Sequence, residues 1–390
     1  MEGPADATTA GTAHRHRGSW FRLFLLWLAG IDLRLTILAV PPVLPLIHRD
    51  LALGETSVAA LTGLPVLLFG VMAVPGSLLI ARIGARRAVI SGLLAVAVAS
   101  GLRGLGPSAP MLFAMTFVMG AGVSIIQPAL PALVSQWFPR SVALATAVYA
   151  NGLLIGEMLS ASLTIPLVLP LVAGSWEWSF GVWAVPVLLT ALLMIGTPNA
   201  ALPAHASRRR WWPDWRDPQV WRLGLLQGGG SVVYFGCNAF LPDYLHATGR
   251  PELINACLTA LNTGQLPASF IILAFANRLA GRRTPLAVAA LVSLLGTGAL
   301  LSASAPLLIA GAVLIGLSSA FVLILTLALP PLLAPPDDVH RISAGMLAIG
   351  YTLAFAVPLL GGAVWDATGA PATAFIPGAA GALIVLAMAL

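Results

Sequence analysis

Ala81-Arg82-Ile83-Gly84-Ala85-Arg86-Arg87 separates two long apolar runs, and Asn277-Arg278-Leu279-Ala280-Gly281-Arg282-Arg283 separates two more. At one constant offset of 196 residues, Arg82, Arg86 and Arg87 fall on Arg278, Arg282 and Arg283. A looser echo sets Pro131 with Arg140 against Pro331 with Arg341. A chain that repeats at half its length is built from two similar units in the same orientation. What lies between the arginines says of what kind.

Of the 390 residues, 58% are hydrophobic and only 9% are charged, against about 25% charged in an ordinary soluble domain. No soluble core of this size hides that much apolar surface, so lipid is the solvent for most of the chain. The apolar runs are about 20–28 residues long, as membrane helices are, and they lack the ten-residue alternation of barrel strands. The 39 glycines and 30 prolines sit inside these runs, where neighbouring helices can satisfy the backbone groups they free.

The runs predict twelve membrane helices, over 20–47, 57–81, 88–105, 109–136, 141–170, 178–196, 219–246, 252–279, 284–303, 305–333, 339–366 and 371–390. The first run is too long for the core of a signal peptide and lacks a small-residue cleavage site. The expected organisation is a cytoplasmic tail at 1–19, a six-helix half at 20–196, a cytoplasmic linker at 197–218 and a second half at 219–390. All twenty basic residues are arginines, and sixteen lie in the N-terminal segment and in the connections after helices 2, 4, 6, 8 and 10. The positive-inside rule makes those segments cytoplasmic. The net charge of +6 follows from this placement and marks no nucleic-acid surface. In the linker, Trp211, Trp212 and Trp215 beside Arg208, Arg209, Arg210 and Arg216 suit either an interfacial segment or a flexible connection. Cys237 and Cys257 fit neither a disulfide framework nor a metal spacing.

At these residues the chain resembles the major facilitator superfamily, whose signature between helices 2 and 3 is a Gly-x-Leu-x-Asp-Arg-x-Gly-Arg-Arg type loop. Aligned on Gly84, this sequence supplies Leu79, Arg82, Gly84 and Arg86 and departs at Ser77 and at Ala81, the acidic position. In the second half Asn277 takes that position, with Arg278 and Arg282 following. Within the superfamily it is similar to the cyanate/nitroimidazole (CynX/NimT-like) group. Asp32-Leu33-Arg34 with Pro42 and Leu44-Pro45-Leu46-Ile47, Gly101-Leu102-Arg103, and Leu241-Pro242-Asp243-Tyr244-Leu245 with Gly249 carry that likeness. The group commonly has Asn where this chain has Asp32. The resemblance implies an all-α transporter that works by alternating access, as a monomer without cofactor, in the cytoplasmic (inner) membrane of a bacterium. It implies a small anionic or polar solute, cyanate-, nitro- or carboxylate-like, with protons as an open coupling partner. It also makes Arg82, Gly84, Arg86, Arg278 and Arg282 gating-loop residues.

Charges at bilayer depth need a reason, since each costs about 2.5–3.5 kcal/mol even on the lenient insertion scale. Helical rise puts Arg34 about 21 Å from Trp20, near mid-membrane, and Arg103 and Glu157 in the outer half. A guanidinium presents a planar fork of donors suited to an anion or a strong dipole. Arg34 is therefore either a solute hook or a tie to a carboxylate such as Glu157. Asp32, two residues away and so on another helix face, either pairs with Arg103 or carries a coupling proton. Gln127, Tyr149, Asn151, Gln227, Tyr234, Asn238, Asn262, Gln265 and Tyr351 supply buried polar groups that need partners, from another helix or from a solute. Among them Gln127, Tyr149, Asn151, Tyr234 and Asn238 join Arg34 as candidate binding residues. Gly228-Gly229-Gly230 stands where Asp32–Arg34 would repeat, so the halves differ chemically.

Two other readings compete. A proton-driven exporter of hydrophobic drugs would usually carry Gly-Pro-x-x-Gly-Gly on helix 5, where this chain has Gly156-Glu157 and Ser160-Ala161; Pro358 with Gly361-Gly362 keeps the pattern on helix 11. An Arg at mid-membrane also repels a cationic drug. A membrane-embedded enzyme or sensor would need a catalytic constellation at depth or an output domain, and all six histidines sit in tails, loops or span ends.

Overall fold

The computed structural model describes residues 6–53, 55–106, 108–197 and 210–390. Among the described residues, ten helices are long and apolar enough to cross a membrane. They are α1 (Ser19–Ile47), α3 (Ala85–Leu102), α4 (Ala109–Trp137), α5 (Val142–Leu171), α6 (Trp176–Ile195), α8 (Pro251–Leu279), α9 (Arg283–Leu300), α10 (Ala305–Leu333), α11 (Val339–Thr368) and α12 (Pro371–Ala389). A bent pair, Gly63–Val71 with Ala73–Ile83, makes the eleventh, α2. The twelfth, α7 (Pro218–Ala247), is thirty residues long but more polar than the rest. The first helix starts at Asp6, so residues 6–19 of the expected tail are helical. Residues 198–209, including Arg208 and Arg209 of the expected linker, lie outside the described residues.

The breaks have proline causes. α1 interrupts its helix after Leu35 and resumes at Val40, immediately before Pro41 and Pro42, which lack N–H donors and crowd the preceding turn. Sequence reading made 20–47 one uninterrupted run; the proline pair overrides it. α2 bends by 54° between its two segments, where Pro75 leaves the Val71 carbonyl without its helical donor.

The helices pack as two sets of six with matching partners. In the first set α1 packs on α5, α3 on α4 and α6, and α2 on α4; in the second α7 packs on α11, α9 on α10 and α12, and α8 on α10. Between the sets, α5 meets α8 and α2 meets α11. Apolar side chains such as Trp20, Val98, Leu189 and Leu295 stay exposed on the outside, as lipid contact requires.

α1 and α5 come together backbone to backbone. A Cβ on Gly30 would run into the Tyr149 carbonyl, one on Gly152 into the Trp27 carbonyl, and one on Gly156 into the Ile31 carbonyl. These glycines form a small-residue face of the kind that lets membrane helices approach closely. Arg34 lies one turn beyond Gly30, and Glu157 follows Gly156, so the seam brings the two charges to one level of the molecule.

The loops that repeat in sequence repeat in shape with a one-residue correction. Gly84 has φ 85° and Gly281 has φ 75°, the left-handed region that glycine enters freely. Two residues after each, an arginine grips a helix end. Arg86 donates to the carbonyls of Met194 and Ile195 at 2.7 and 2.8 Å and to Thr197 Oγ1 at 2.8 Å. Arg283 donates to Leu390 O at 2.8 Å. The structural register is therefore 197, not 196, because the turn is counted from its left-handed glycine. The structural counterpart of Arg86 is Arg283; Arg282, which the sequence offset selects, is exposed, as are Arg82 and Arg278.

Candidate functional site

A cavity of about 820 Å³ lies between the two sets of helices. Its walls include Pro41 and Pro42 of α1, Gly63 and Val66 of α2, Met158 and Ser162 of α5, and Leu258 and Asn262 of α8. All of these lie toward the helix ends remote from the arginine loops, so the cavity opens on that side. A recess of about 30 Å³ adjoins it, lined by Gln227, Ser231, Ser319 and Tyr351 among others. Arg34, Glu157, Tyr234, Phe235 and Gln265 line both spaces.

α7 explains its own polarity here. Gln227, Gly230, Ser231, Tyr234 and Phe235 line the recess, and Asn238 and Ala239 line the main cavity. Their spacing of three and four residues traces one face of a helix. The helix whose apolar signal is weakest is the one that contributes most to the polar wall.

Arg34 stands at the end of the first α1 segment, where a cation suits the carbonyl end of a helix. Its guanidinium lies 5.4 Å from the Phe69 ring centre, and Nη2 makes a long 3.4 Å hydrogen bond to the Tyr351 hydroxyl. Phe69 and Tyr351 meet edge to face at 5.1 Å. Arg34 and Glu157 share the recess but form no ion pair, so the expected tie between them is not made directly. Glu157 instead meets the Tyr234 hydroxyl at 2.5 Å. That hydroxyl also lies 2.7 Å from Asn262 Oδ1 and accepts from Gln265 Nε2 at 3.3 Å. Asn262 Nδ2 in turn donates to Asn238 Oδ1 at 3.3 Å and to the Leu258 carbonyl at 2.9 Å.

Other candidates sit elsewhere. Asn151 accepts from Trp27 Nε1 at 3.1 Å and donates to Ser269 Oγ at 3.0 Å. It links α1, α5 and α8 on the closed side of the cavity, so its polar group is satisfied by other helices. Tyr149 is buried with its hydroxyl unpartnered and lines neither space. Gln127 is half-buried on α4 and lines neither space. Asp32 turns away to the Thr190 hydroxyl of α6, leaving Oδ2 without a hydrogen-bond partner. The expected Asp32–Arg103 pair does not form. Arg103 is buried, donates to the Thr36 carbonyl at 2.9 Å and covers the Phe180 ring at 4.4 Å. The helical offset that separates Asp32 from Arg34 sends one side chain to the α6 interface and the other to the cavity.

Sequence reasoning missed Phe69, Ser231 and Ser319. Ser319 Oγ is buried, unpartnered and at the recess wall. Nothing in a serine inside an apolar helix marks it, and only the facing geometry does.

The family model described as Major Facilitator Superfamily matches residues 23–250. The cyanate transport protein CynX of Escherichia coli is 29% identical over 353 residues, covering 89% of this chain and 90% of that protein. The 2-nitroimidazole transporter of Escherichia coli is 28% identical over 342 residues, covering 86% of each. In three dimensions the chain is similar to FucP in the outward conformation, with a TM-score of 0.75 at 16% identity over 95% of this chain and 98% of that one.

Proposed function

The chain belongs to the major facilitator superfamily and is a secondary transporter, and from that premise we propose that it carries a small anionic or polar solute held by Arg34. Membership sets aside the enzyme and sensor readings. The observation that carries the proposal is the placement of an always-charged guanidinium at the recess wall, with Phe69 beside it and, among the described residues, no carboxylate paired to it. Apart from the long contact to Tyr351, its donor fork is left for an acceptor from outside the protein. Room of about 30 Å³ exceeds the volume that one water needs, so the recess suits a compact charged or dipolar end. The larger cavity takes whatever is attached to it. Cyanate and a nitro-aromatic ring, which the relatives' names print, both fit this description, as does a short carboxylate.

The arginine-rich ends are read as cytoplasmic, which makes the open cavity face outward and the solute load from outside in this state. Alternating access then proceeds by rocking one six-helix half against the other. We place the protein as a monomer in the cytoplasmic membrane of a bacterium, with its N-terminus inside.

One observation favours a second reading: much of the cavity wall is apolar, with Ile37, Leu38, Val66, Leu154 and Met158, as an exporter of hydrophobic compounds would need. A thermal-shift screen of purified protein against cyanate, 2-nitroimidazole, short carboxylates and lipophilic cations separates the two, because ligand bound to the folded state raises apparent stability. Stabilisation by an anion or nitro compound that vanishes in Arg34→Ala supports the hook. Stabilisation by lipophilic cations alone, retained in Arg34→Ala, replaces it with the exporter reading.

A further inference from the structure

Hydroxyls inside these helices commonly return their proton to a carbonyl three or four residues back. Ser124 donates to Gly120 O, Ser160 to Gly156 O and Ser318 to Ile315 O. Ser319, the next residue on α10, does not. It is 6% exposed, its Oγ has no hydrogen-bond partner, and it lines the recess together with Leu323 one turn on. A buried hydroxyl without a partner costs stability, and an acceptor placed in the recess removes that cost. A second proton faces the same space. Arg34 Nη2 can only donate, so the Tyr351 hydroxyl accepts from it and keeps its own O–H for another acceptor. Among the described residues, the one carboxylate on the recess wall is Glu157, and it already accepts from Tyr234. The space is also small for a structural reason. Gly230 of α7 lies so close to α10 that a Cβ there would meet Val322 Cγ1 at 2.6 Å.

We propose that Ser319 determines specificity, and that the recess recognises a three-atom head with an acceptor at each end. One end lies on Arg34 and Tyr351, and the other accepts from Ser319 Oγ. This rests on the reading of Arg34 as the solute hook and names the kind of head that the hook holds. A water-sized occupant needs about 10–15 Å³, so a recess of about 30 Å³ takes two or three such volumes. N–C–O in cyanate, O–C–O in a carboxylate and O–N–O in a nitro group share this plan. They differ in charge and in bond angle, yet each puts hydrogen-bond acceptors at both ends of a short unit. A monatomic anion has a single centre and serves one end at a time. Arg34 belongs to the first six-helix half and Ser319 to the second, so the head lies between the halves.

The test uses full-length protein in detergent and chloride-free buffer, titrated calorimetrically with formate, cyanate, 2-nitroimidazole and chloride. Ser319→Ala removes one hydroxyl and little volume. It is expected to weaken formate and cyanate about tenfold or more, the size of a hydrogen bond to a charged group. The neutral nitro compound should lose several-fold. Thermal unfolding without ligand supplies the second reading. Because the hydroxyl has no partner inside the protein, the ligand-free midpoint of Ser319→Ala should equal or exceed that of wild type. A lower midpoint would show that the hydroxyl serves the fold, and overturns the proposal. If Ser319→Ala binds the three-atom probes as wild type does while Arg34→Ala does not, the Ser319 contact is overturned and the hook stands. If chloride binds wild type as tightly as formate, the two-ended head is overturned. If no probe binds, or binding survives Arg34→Ala, the hook fails and this proposal falls with it.

Discussion

Arg103, at the end of α3, donates to the carbonyl of Thr36, which the break in α1 has deprived of its helical partner. The Val40 amide turns to Ile37 O instead, and no helical donor replaces it. A guanidinium buried against Phe180 thus stabilises the bend that follows Arg34.

Arg103→Ala should therefore cost about 1–3 kcal/mol, the penalty for a buried carbonyl left unsatisfied, seen as a lower midpoint of thermal unfolding. Arg103→Lys, which can still reach one acceptor, should lose less. Equal stability of wild type and Arg103→Ala would show that the bend holds itself.

Asn151 links α5 to α8 across the two halves on the closed side of the cavity. Asn151→Ala removes about 1 kcal/mol of that link, enough to shift a two-state equilibrium about fivefold toward the opposite-facing state. A cysteine placed at Met158, on the cavity wall, reports the shift. Its labelling by a membrane-impermeant maleimide from outside should slow in Asn151→Ala, and an unchanged rate would mean that the link does not govern which side is open.

Gly156→Ala should cost about 1–3 kcal/mol, the usual penalty of overpacking, because the added methyl meets the Ile31 carbonyl. Gly298→Ala on α9, where a Cβ would meet nothing within 4 Å, should be neutral or stabilising by up to about 1 kcal/mol. Thermal unfolding of the two variants side by side checks the seam, since a similar response in both would dissolve it.

Asp50, near the open end of α1, accepts from Arg49 at 2.9 Å and from Trp176 Nε1 at 3.0 Å. The Arg49 hydrogen bond first, then that of Trp176, holds its carboxyl below the usual carboxylate range. A depressed folded-state value stabilises above the unfolded value of about 3.9 and is lost as pH falls through the folded one. Asp50→Asn should lower stability at neutral pH and converge with wild type as pH falls below about 4. A parallel acid limb in the variant would count against it.

The twelve-helix plan and its two-fold repeat were legible because lipid leaves so few options: long apolar runs, arginines on one side, and a loop that occurs twice. Arg34, Glu157 and Tyr234 were legible as well, since polar groups at bilayer depth stand out by cost alone. Partners were not. Asn151 and Tyr234 read alike in sequence, yet one ties helices together and the other walls the cavity, and only the facing of three helices separates them. Asp32 looked like a partner for Arg103 because both are rare charges; their directions around α1 and α3 send them apart. The shift from 196 to 197 rests on which glycine turns left-handed, a property of backbone angles that composition does not carry.

The glycine seam between α1 and α5 has an electrical consequence. Two helices that touch through their backbones tilt as one body, so Arg34 and Glu157 travel together whenever the halves rock. Moving one elementary charge through the membrane field is worth about 2.3 kcal/mol per 100 mV, but opposite charges on a shared rigid body largely cancel that work. An empty carrier built on this seam would reorient at a rate that membrane voltage scarcely touches.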